Sequence, residues 1–420
     1  MSEANLSDEA LLDQVQRHTL RYFWDFAHRA SGMARERSNA AATYDYLDTV
    51  TSGGTGFGIM ALLAGLVRGF LPRVEVLRRI GKIVDFLEST ETYHGVFPHF
   101  MDGATGRTIP FSEMDDGGDL VETSFLMAGL LCARQFFCGT APGEAGLRAA
   151  IDRLWHAVEW DWHTPEGRNV LFWHWSPRHG WSMNHAITGW NECLITYVLA
   201  AASPTHGASS RLYHRGWTTG PMFRNGRSYH GATLPLGPPY GGPLFFSQFS
   251  FLGLDPRGLR DRYADYWVQN CAHTVINRAH CIANPHGYPG YGPCCWGLTA
   301  CDGDTGYDVF SPDNDRGIIA PTAALSAMPY AYDESMAALR HFYEDLGDTI
   351  WGRYGFVDAF KTSFAWVADG NLAINQGPIV VMIENHRSAL LWQLLMSCPE
   401  IRAGLNCLGF ESPWLTAAVN

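Results

Sequence analysis

The sequence has few charged residues, and the charge that it carries is mostly negative. Only 17% of its 420 residues are Asp, Glu, Lys or Arg, and the 42 acidic residues outnumber the 30 basic ones, which gives a formal net charge of −12. No local cluster of Lys or Arg offsets this balance. Because nucleic acids and anionic membranes repel a negative protein, we expect neither to be a main partner.

Long hydrophobic runs are also missing. No segment reaches about 18 consecutive apolar residues, the length that a membrane-spanning helix needs. The first twenty residues are polar and acidic, without the basic start and apolar stretch of an export signal. The sequence therefore predicts a cytoplasmic protein, or a periplasmic or secreted one if the N-terminus is processed or incomplete.

The ten cysteines form no metal-ligating or redox motif. There is no CxxC pair, and the adjacent Cys294 and Cys295 have a poor spacing for zinc. Without an export signal, a disulfide framework is not expected. We therefore predict reduced and mostly buried thiols, since unpaired cysteine commonly lies in protein cores.

Motifs for metals and phosphates are absent or incomplete. The chain has no HExxH, and "SGGTGFG" (52–58) lacks the Lys-Ser/Thr of a phosphate-binding loop. The stretch "CDGDTGYDVFSPDND" places Asp302, Asp304 and Asp313 at offsets of a calcium loop, but Gly306 and Tyr307 occupy the wrong positions for it. We expect no metal and no cofactor.

Helical periodicity dominates the sequence, and 46% of the residues are apolar. Helices are predicted over 8–29, 55–69, 73–90, 119–138, 144–160, 190–202, 258–281, 333–351 and 378–397. Some of these segments are apolar on all sides and others on one face only, which indicates inner helices wrapped by outer ones. We predict an all-α fold, an α/α toroid in a single domain spanning 1–420, with short hairpins at 169–175 and 227–236.

Five acidic residues are crowded into "SEMDDGGDLVETSFL" (112–126), directly before an apolar helix: Glu113, Asp115, Asp116, Asp119 and Glu122. One interpretation is a capping box, with Asp119 as the N-cap and Glu122 folding back onto it. A cap needs fewer acids than this, and crowded carboxylates repel one another and raise their pKa values. The segment as a whole therefore favours a functional site, and Asp119 could serve both as a cap and as a ligand contact.

A second acidic helix start lies in "TGWNECLITYVLAAAS" (188–203), where Trp190, Asn191 and Glu192 open an apolar helix. Glu192 could simply complement the helix dipole. Burial beside an aromatic ring would instead raise the pKa of its carboxyl group into the range of a general acid. Inward-pointing helices could bring this acid close to Asp119 and Glu122, which would supply the carboxylates that glycosidic bond cleavage requires.

Aromatic residues surround these acids in the sequence. Trp173 and Trp175 in "LFWHWSPRHGW" would lie on one side of a strand and could form a platform for sugar rings, although a core position is an equal alternative. The Gly- and Pro-rich "TLPLGPPYGGPLFF" (233–246), which contains Tyr240, is predicted to be a packed loop over the site. We interpret the aromatic residues as candidate substrate contacts.

Seven segments together resemble the glycoamylase-like bacterial proteins that include the endo-β-1,2-glucanases of glycoside hydrolase family 144. The matching segments are "RYFWDFAHRASGMARERS", "VTSGGTGFGIMAL", "GVFPHFMDGATGRTIPFSEMDDGGDLVETSFL", "GWNECLITYVLAAASPTH", "YGGPLFFSQFSFLGLDPR", "IAPTAALSAMPY" and "GPIVVMIENHRSALLW". They cover the chain from about residue 17 to about residue 410. Motifs of this length are hard to match by chance.

The resemblance implies an (α/α)6 barrel, hydrolysis of β-1,2-glucan with inversion, and importance for activity of Asp119, Glu122 and Glu192. Relatives often carry Asp before the "QGP" turn, whereas this chain has Asn375 followed by Gln376. Both residues are therefore candidate substrate contacts.

The leading hypothesis is a hydrolase of β-1,2-glucan oligosaccharides or polysaccharides, with Glu192 as the general acid. Asp119 and Glu122 would orient the substrate and support or share the role of base. Three alternatives stay open: a transglycosylase or cyclising enzyme, an exo-acting hydrolase that releases sophorose, and a non-catalytic glucan-binding protein. The oligomeric state cannot be predicted from the sequence.

Overall fold

The computed structural model describes residues 6–39 and 45–416. Residues 1–5, on which the prediction about an export signal partly depends, lie outside the described residues, as do 40–44 and 417–420. The fold is predominantly helical. Its α-helices are α1 Asp8–Trp24, α2 Ser52–Val67, α3 Arg73–Leu87, α4 Leu120–Phe136, α5 Pro142–Ala157, α6 Leu194–Ala202, α7 Ser210–Arg215, α8 Tyr266–Ala283, α9 Pro321–Leu325, α10 Tyr332–Arg340, α11 Gly347–Ile350, α12 Ala373–Ser388, α13 Leu390–Met396, α14 Pro399–Cys407 and α15 Pro413–Thr416.

The strands are short, and each belongs to a small antiparallel ladder. They are β1 Thr49–Thr51, β2 Phe100–Asp102, β3 Thr108–Ile109, β4 Gly118–Asp119, β5 His174–Trp175, β6 Ser228–Tyr229, β7 Ala232–Thr233, β8 Ala300–Cys301, β9 Asp308–Val309, β10 Ile318–Ile319, β11 Trp351–Gly352, β12 Gly355–Phe356 and β13 Phe360–Lys361. β1, β2 and β3 form a three-stranded sheet, and the other strands pair two by two. These ladders lie in the connections between helices.

Helices α2, α4 and α12 form the buried interior, where α2 packs against α1, α4 and α12. Close approach of α2 and α4 depends on glycine. A Cβ atom added at Gly56 would lie 2.1 Å from the carbonyl oxygen of Phe125, and one added at Gly129 would lie 2.2 Å from the carbonyl oxygen of Gly56. The two backbones are therefore in direct contact, which only residues without a side chain allow.

Other helices bury one face only. In α3 the buried residues recur with helical spacing, at Val76, Ile80, Ile83, Val84 and Leu87. Helices α1, α5, α10 and α14 show the same division between a buried and an exposed side. The prediction of fully buried and half-buried helices is confirmed.

The predicted helices are present, but several differ in extent; α1, predicted over 8–29, ends at Trp24, and three others start late or are broken. The segment predicted over 258–281 becomes helical only at Tyr266, because Asp265 caps the helix through the N–H of Val268. The segment predicted over 378–397 is two helices, α12 and α13, separated by the left-handed residue Ala389. The segment predicted over 333–351 is broken by a π-helical turn, His341–Asp345. The late start follows from the Asp265 cap, and the two breaks follow from a left-handed residue and a π-helical turn, none of which apolar periodicity reports.

Both segments predicted as hairpins make local antiparallel pairings, and one of them is a regular two-stranded ladder. β6 and β7 form a hairpin within 227–236. The segment 169–175 contributes β5, whose ladder partner is β4, about 55 residues earlier in the chain. It also pairs locally, since Phe172 forms an antiparallel bridge with Ala186 and the N–H of Trp173 donates to the carbonyl oxygen of His185 at 3.0 Å. The local pairing predicted there is therefore present as a bridge between 171–173 and 185–187, and the long-range ladder with β4 is added to it.

All ten cysteines are free, and six of them are buried: Cys132, Cys193, Cys281, Cys295, Cys301 and Cys398. This confirms the prediction of reduced, mostly buried thiols. Within 6–39 and 45–416, no helix combines the length and the apolar character that crossing a membrane would take.

Candidate active site

The pairing of β4 with β5 brings the acidic segment next to the tryptophan segment. Asp119 lies opposite His174, and Gly118 lies opposite Trp175. Gly117 allows this approach, because a Cβ atom there would lie 2.2 Å from the carbonyl oxygen of Trp175. Two clusters that are separate in the sequence therefore meet at the start of α4.

Asp119 is fully buried and is the N-cap of α4. Its Oδ1 accepts hydrogen bonds from the N–H groups of Val121 at 3.0 Å and Glu122 at 2.9 Å. Its Oδ2 lies 3.1 Å from Nδ1 of His99 and 3.6 Å from Nδ1 of His174. Burial opposes ionisation of Asp119, but the charge of His174 and the hydrogen bond with His99 outweigh it and lower the pKa. Asp119 is thus a carboxylate at neutral pH.

Glu122 does not fold back onto Asp119, so the predicted capping box is wrong in its second half. The N–H of Asp119 donates to the carbonyl oxygen of Phe97 instead. The Oε2 of Glu122 accepts from the N–H of Gly53 at 2.8 Å, in the first turn of α2. Burial raises the pKa of Glu122; the charge of His99 opposes this shift, and the negative charge of Asp119 adds to it.

Glu192 lies in the turn directly before α6, so the helix begins at Leu194, four residues later than predicted. Its side chain is buried, and its main-chain carbonyl accepts a hydrogen bond from the hydroxyl of Ser250. Burial raises the pKa of Glu192 to about 8, and the negative charges of Glu122 and Asp119 contribute to the shift. The carboxyl group of Glu192 therefore keeps its proton at neutral pH.

Glu122 and Glu192 line the same cavity, which has a volume of about 460 Å³. His99 also lines it, whereas Asp119 lies behind His99 and does not. Aromatic side chains cover much of the remaining wall: Phe111, Phe125, Trp173, Phe245, Phe249 and Tyr307. The cavity thus combines two carboxyl groups whose pKa values are raised by burial with apolar ring faces, and a pyranose ring offers groups that match both.

Of the three tryptophans predicted to contact substrate, only Trp173 lies at this cavity. Trp173 lines it, but Trp175 does not and instead packs against Tyr93. Trp190 is 2% exposed and stacks on Tyr266 in the core. The prediction that Trp190 offers a sugar-stacking face is therefore wrong, because the turn before α6 directs its ring into the interior while Glu192 faces the cavity.

Three residues predicted as polar substrate contacts bind neighbouring protein groups and do not line the cavity. Asn191 accepts from the N–H of Cys193 at 3.1 Å, within the turn that carries Glu192. Asn375 is buried and donates to Oδ1 of Asp358 at 2.8 Å. Gln376 is buried and donates to the carbonyl oxygen of Phe356 at 3.0 Å. The prediction that these three residues contact the substrate directly is therefore corrected, since each of them supports the surrounding structure.

The other acids of the first cluster differ in environment. Asp115 is buried, with Oδ2 3.2 Å from Nδ1 of His174, and Asp116 is buried and pairs with Arg178. Glu113 is exposed. None of the three belongs to the cavity wall. The crowding of acids is thus explained in part by ion pairs with basic side chains.

Tyr240 also lies away from this cavity. Its ring packs against Tyr229, with ring centroids 4.5 Å apart, and its backbone is left-handed with φ of 56°. The end of the same loop does reach the cavity, through Phe245. The prediction of a loop over the site is therefore correct in position, but Tyr240 is not the residue that contacts it.

Several cavity residues were not singled out from the sequence: Glu36, Arg37, His99, Phe111 and Tyr307. His99 connects the acids, since its Nδ1 faces Asp119 and its Nε2 lies 3.9 Å from Oε1 of Glu122. Burial disfavours its charged form, but the negative charges of Glu122 and Asp119 prevail and raise the pKa of His99 to about 9. The only sequence signal for it was its position within one of the long matching motifs.

His99, Asp115 and Asp119 each offer an atom within 4.8 Å of the others, a grouping that could hold a cation. Asp119 already accepts two backbone hydrogen bonds and faces two imidazoles. Cleavage of a glycosidic bond by carboxyl groups requires no metal. We assign no metal role to this group, and the absence of a metal stays a prediction.

Comparison with known families and structures finds similarity to a glycoamylase family and to β-1,2-glucanases. The family model Glycoamylase, described as "Putative glucoamylase", matches residues 184–399. The solved structure of an endo-β-1,2-glucanase from Chitinophaga pinensis, in complex with sophorotriose and glucose, is 52% identical and covers 98% of this chain and 100% of that chain, with a TM-score of 0.95.

Two further similarities are to proteins of Parabacteroides distasonis. A β-1,2-glucanase structure is 43% identical and covers 97% of this chain and 61% of that chain, with a TM-score of 0.94. An exo β-1,2-glucooligosaccharide sophorohydrolase acting at the non-reducing end is 44% identical over 421 residues. That match covers 95% of this chain, which spans only 58% of the length of this curated relative.

Proposed function

This chain belongs to the Glycoamylase family, and from that premise we propose that it is a glycoside hydrolase that cleaves β-1,2-glucan. The observation that carries the proposal is the cavity shared by Glu122 and Glu192. Glycosidic cleavage needs one carboxyl group that donates a proton and a second that is ionised or activates water. The names of the similar proteins supply the linkage, which acids and aromatic rings alone do not specify.

We assign Glu192 as the general acid. A general acid must keep its proton at the working pH and must face the substrate, and the raised pKa and the cavity position of Glu192 meet both conditions. It would donate its proton to the interglycosidic oxygen as the bond breaks. Trp173 in the same wall would pack against a sugar ring and help to orient it.

We assign Glu122 and Asp119 to the second requirement, a carboxyl group that is ionised or activates water. Glu122 faces the cavity and is held by the N–H of Gly53, so it can orient sugar hydroxyls or water. Asp119 is behind it and would act through His99 rather than on the substrate. Asp119 is therefore a positioning residue in this proposal, and Glu122 is the acid that supports or shares the role of base.

We also propose the finer architecture that the sequence predicted, an (α/α)6 barrel in one catalytic domain. The arrangement is supported by α2, α4, α6, α9 and α12, which are buried over nearly their whole length, and by the half-buried helices that pack around them. In such a barrel the starts of inner helices meet at one end. Glu122 in α4 and Glu192 before α6 fit that placement.

The test is incubation of the purified protein with a panel of glucans that differ in linkage. We expect reducing ends to appear with linear β-1,2-glucan and not with β-1,3-, β-1,4- or α-1,4-glucans. Proton NMR during the first turnovers should show an α-anomeric product, because the reaction is expected to invert the β configuration. Cleavage of another linkage with no cleavage of β-1,2-glucan would overturn the proposal.

An exo-acting hydrolase is the second candidate, since one curated relative is named as a sophorohydrolase acting at the non-reducing end. The two modes leave different products from a long chain. An endo-acting enzyme shortens the whole population at once, whereas an exo-acting one releases sophorose while the remaining chains stay long. Mass spectrometry of early products separates them, and products longer than the donor would indicate transglycosylation.

A further inference from the structure

The chain between Glu192 and Asp255 contains no acidic residue. This segment carries four exposed arginines, although the protein as a whole has a formal net charge of −12: Arg211, Arg215, Arg224 and Arg227. None of the four forms an ion pair within the part of the chain that the structure describes. The segment therefore exposes positive charge on the surface of an otherwise acidic protein.

The fold brings a further arginine to this segment at the ring of Tyr263. The Cζ atom of Arg224 lies 5.1 Å from the centroid of that ring, and the Cζ atom of Arg262 lies 4.9 Å from it. Nη2 of Arg262 also donates to the hydroxyl of Tyr263 at 2.6 Å. The ring attracts both cations, but two positive groups around one ring also repel each other.

The carboxylate next to Arg262 in the sequence, Asp261, is occupied by other donors. It accepts four hydrogen bonds, from the N–H groups of Tyr263 and Ala264 and from the hydroxyls of Tyr213 and Tyr266. Among the described residues, neither Arg224 nor Arg262 has a carboxylate within ion-pair distance. The two guanidinium groups therefore keep donors that the protein itself does not pair with an anion.

Neighbouring groups hold the ring of Tyr263 in place. Nδ1 of His214 lies 3.0 Å from its hydroxyl, and the ring of Phe223 packs edge-on against it with centroids 5.5 Å apart. Burial and the positive charge of Arg262 lower the pKa of His214, and the opposing effect of Asp261 is smaller. His214 is therefore uncharged at neutral pH, and the protein does not fully balance the charge of Arg262.

Two guanidinium groups that come from different segments suit a phosphate group better than a carboxylate. A carboxylate offers two oxygens in one plane, which a single arginine satisfies. A phosphate group offers more oxygens in a tetrahedral arrangement and carries up to two negative charges, so it can accept from two guanidinium groups at once.

We propose that Arg224 and Arg262 form a binding site for a phosphate group, either on a soluble phosphate ester or on a lipid headgroup. The site is separate from the proposed function, because neither arginine nor Tyr263 lines the cavity that contains the acids. Tyr263 is a positioning residue that keeps both guanidinium groups close to one point. Binding of the phosphate relieves the repulsion between them.

The test is a calorimetric titration of the purified protein with inorganic phosphate at constant ionic strength. Arg224→Gln and Arg262→Gln should each weaken binding by at least about tenfold, because each removes charge-assisted hydrogen bonds. The double variant should show no measurable binding. Acetate should bind more weakly than phosphate to the wild type, and acetate binding of equal strength would overturn the assignment to phosphate.

Arg353→Gln is the matched control. Arg353 is exposed and stacks on the neighbouring Tyr354, with its Cζ atom 5.2 Å from the ring centroid, and no second arginine of the described residues stacks on that ring. Its replacement should leave phosphate binding as in the wild type. Equal phosphate affinity in the wild type and the double variant, or an equal loss in Arg353→Gln, would show an adventitious ion only and overturn the site.

Catalysis separates this inference from the proposed function. The double variant should hydrolyse β-1,2-glucan at the rate of the wild type, and circular dichroism confirms its fold. A wild type that binds phosphate through these arginines but leaves β-1,2-glucan intact overturns the proposed function alone. A wild type that cleaves the glucan without binding phosphate overturns the phosphate site alone.

A further measurement identifies the source of the phosphate group. Glycerol phosphate presents it in solution, and vesicles that contain phosphatidylglycerol present it on a membrane, with phosphatidylcholine vesicles as the control. Calorimetric binding of glycerol phosphate that the double variant loses indicates a soluble ester. Sedimentation with phosphatidylglycerol vesicles that the double variant loses indicates a lipid headgroup. Failure of the wild type to bind either one overturns the proposal.

Discussion

At residue 192, burial changes the chemistry of an ordinary carboxyl group. The pKa of Glu192 is raised to about 8 by burial, and Glu122 and Asp119 nearby add to the shift. Asp119 shows the opposite result under similar burial, since two imidazoles and two backbone N–H groups stabilise its charge. Two acids of the same region therefore have pKa values that their surroundings shift in opposite directions.

Replacing the proposed proton donor tests this directly. Glu192→Gln keeps the size of the side chain but cannot donate a proton, so we expect hydrolysis of β-1,2-glucan to fall by at least about a hundredfold, the lower range for general acid catalysis. Reducing-sugar release measures the effect, and circular dichroism checks the fold. Glu166→Gln, at an exposed position outside the cavity, is the matched control. Full activity of Glu192→Gln would rule out this assignment.

The same substitution should stabilise the protein in alkaline solution. Between the ordinary value of 4.5 and about 8, folded Glu192 keeps a proton that the unfolded chain releases. The free energy of unfolding therefore falls as pH rises through this window, by up to about 1.4 kcal/mol for each pH unit. Gln does not titrate and escapes this loss.

The measurement is urea denaturation of both proteins between pH 5 and pH 9. The gain in unfolding free energy of Glu192→Gln over the wild type should be small at pH 5, increase to about pH 8 and then level off. A gain that is constant over this range would show that Glu192 titrates near its ordinary pKa, and the general-acid assignment would lose its electrostatic basis.

At the scale of elements, the position of the acids depends on how closely α2 and α4 approach. Glu122 is held by the N–H of Gly53 in α2, while its own helix is α4. A Cβ atom at Gly53 would lie 2.4 Å from Oε2 of Glu122. The two helices therefore form a single support for the carboxylate, and glycine in α2 makes the contact possible.

A substitution at Gly56 should separate these helices. The added Cβ atom of Gly56→Ala would lie 2.1 Å from the carbonyl oxygen of Phe125, and the backbone must move to relieve the clash. We expect the free energy of unfolding to fall by at least about 2 kcal/mol. Urea denaturation midpoints give the value, and glucanase activity should decrease with it because Glu122 shifts.

Gly81→Ala in α3 is the control for helix propensity alone. A Cβ atom there would meet nothing within 4 Å. The expected effect is stabilisation by up to about 1 kcal/mol, since alanine favours a helix more than glycine does. If Gly56→Ala behaved like Gly81→Ala, the close contact between α2 and α4 would be refuted.

At the scale of the whole molecule, the two ends of the described chain are joined. Gln16 in α1 donates to the carbonyl oxygen of Val380 in α12, and Arg387 of α12 pairs with Asp13 of α1. Arg134 of α4 pairs with Glu400 of α14 in the same way. Contacts between distant segments therefore link the whole core. Dividing the chain into two independent halves would break buried interactions.

We accordingly expect a single cooperative unfolding transition. Differential scanning calorimetry should show one peak, with a calorimetric enthalpy equal to the van't Hoff enthalpy. Near-ultraviolet circular dichroism, which follows the aromatic residues, should report the same midpoint. Two separated transitions would contradict a single domain.

Local sequence identified most of the helices of this protein, although not all of their ends. The spacing of apolar residues in α3 and the nearly all-apolar sequence of α4 identify a half-buried and a fully buried helix, because the period of a helix is a property of the chain itself. The acids Asp119, Glu122 and Glu192 also stood out, since several carboxyl groups before apolar helices have an electrostatic cost that a cap alone does not explain.

The arrangement of those acids was decided only by the tertiary structure. His99 between Asp119 and Glu122, Arg37 against Asp302 265 residues away, and Trp190 in the core all follow from how distant segments pack. A sequence pattern specifies which face of a helix is apolar, but the neighbours of a side chain and its degree of burial depend on the rest of the molecule. Protonation states depend on both, which is why the chemistry of the site required the fold.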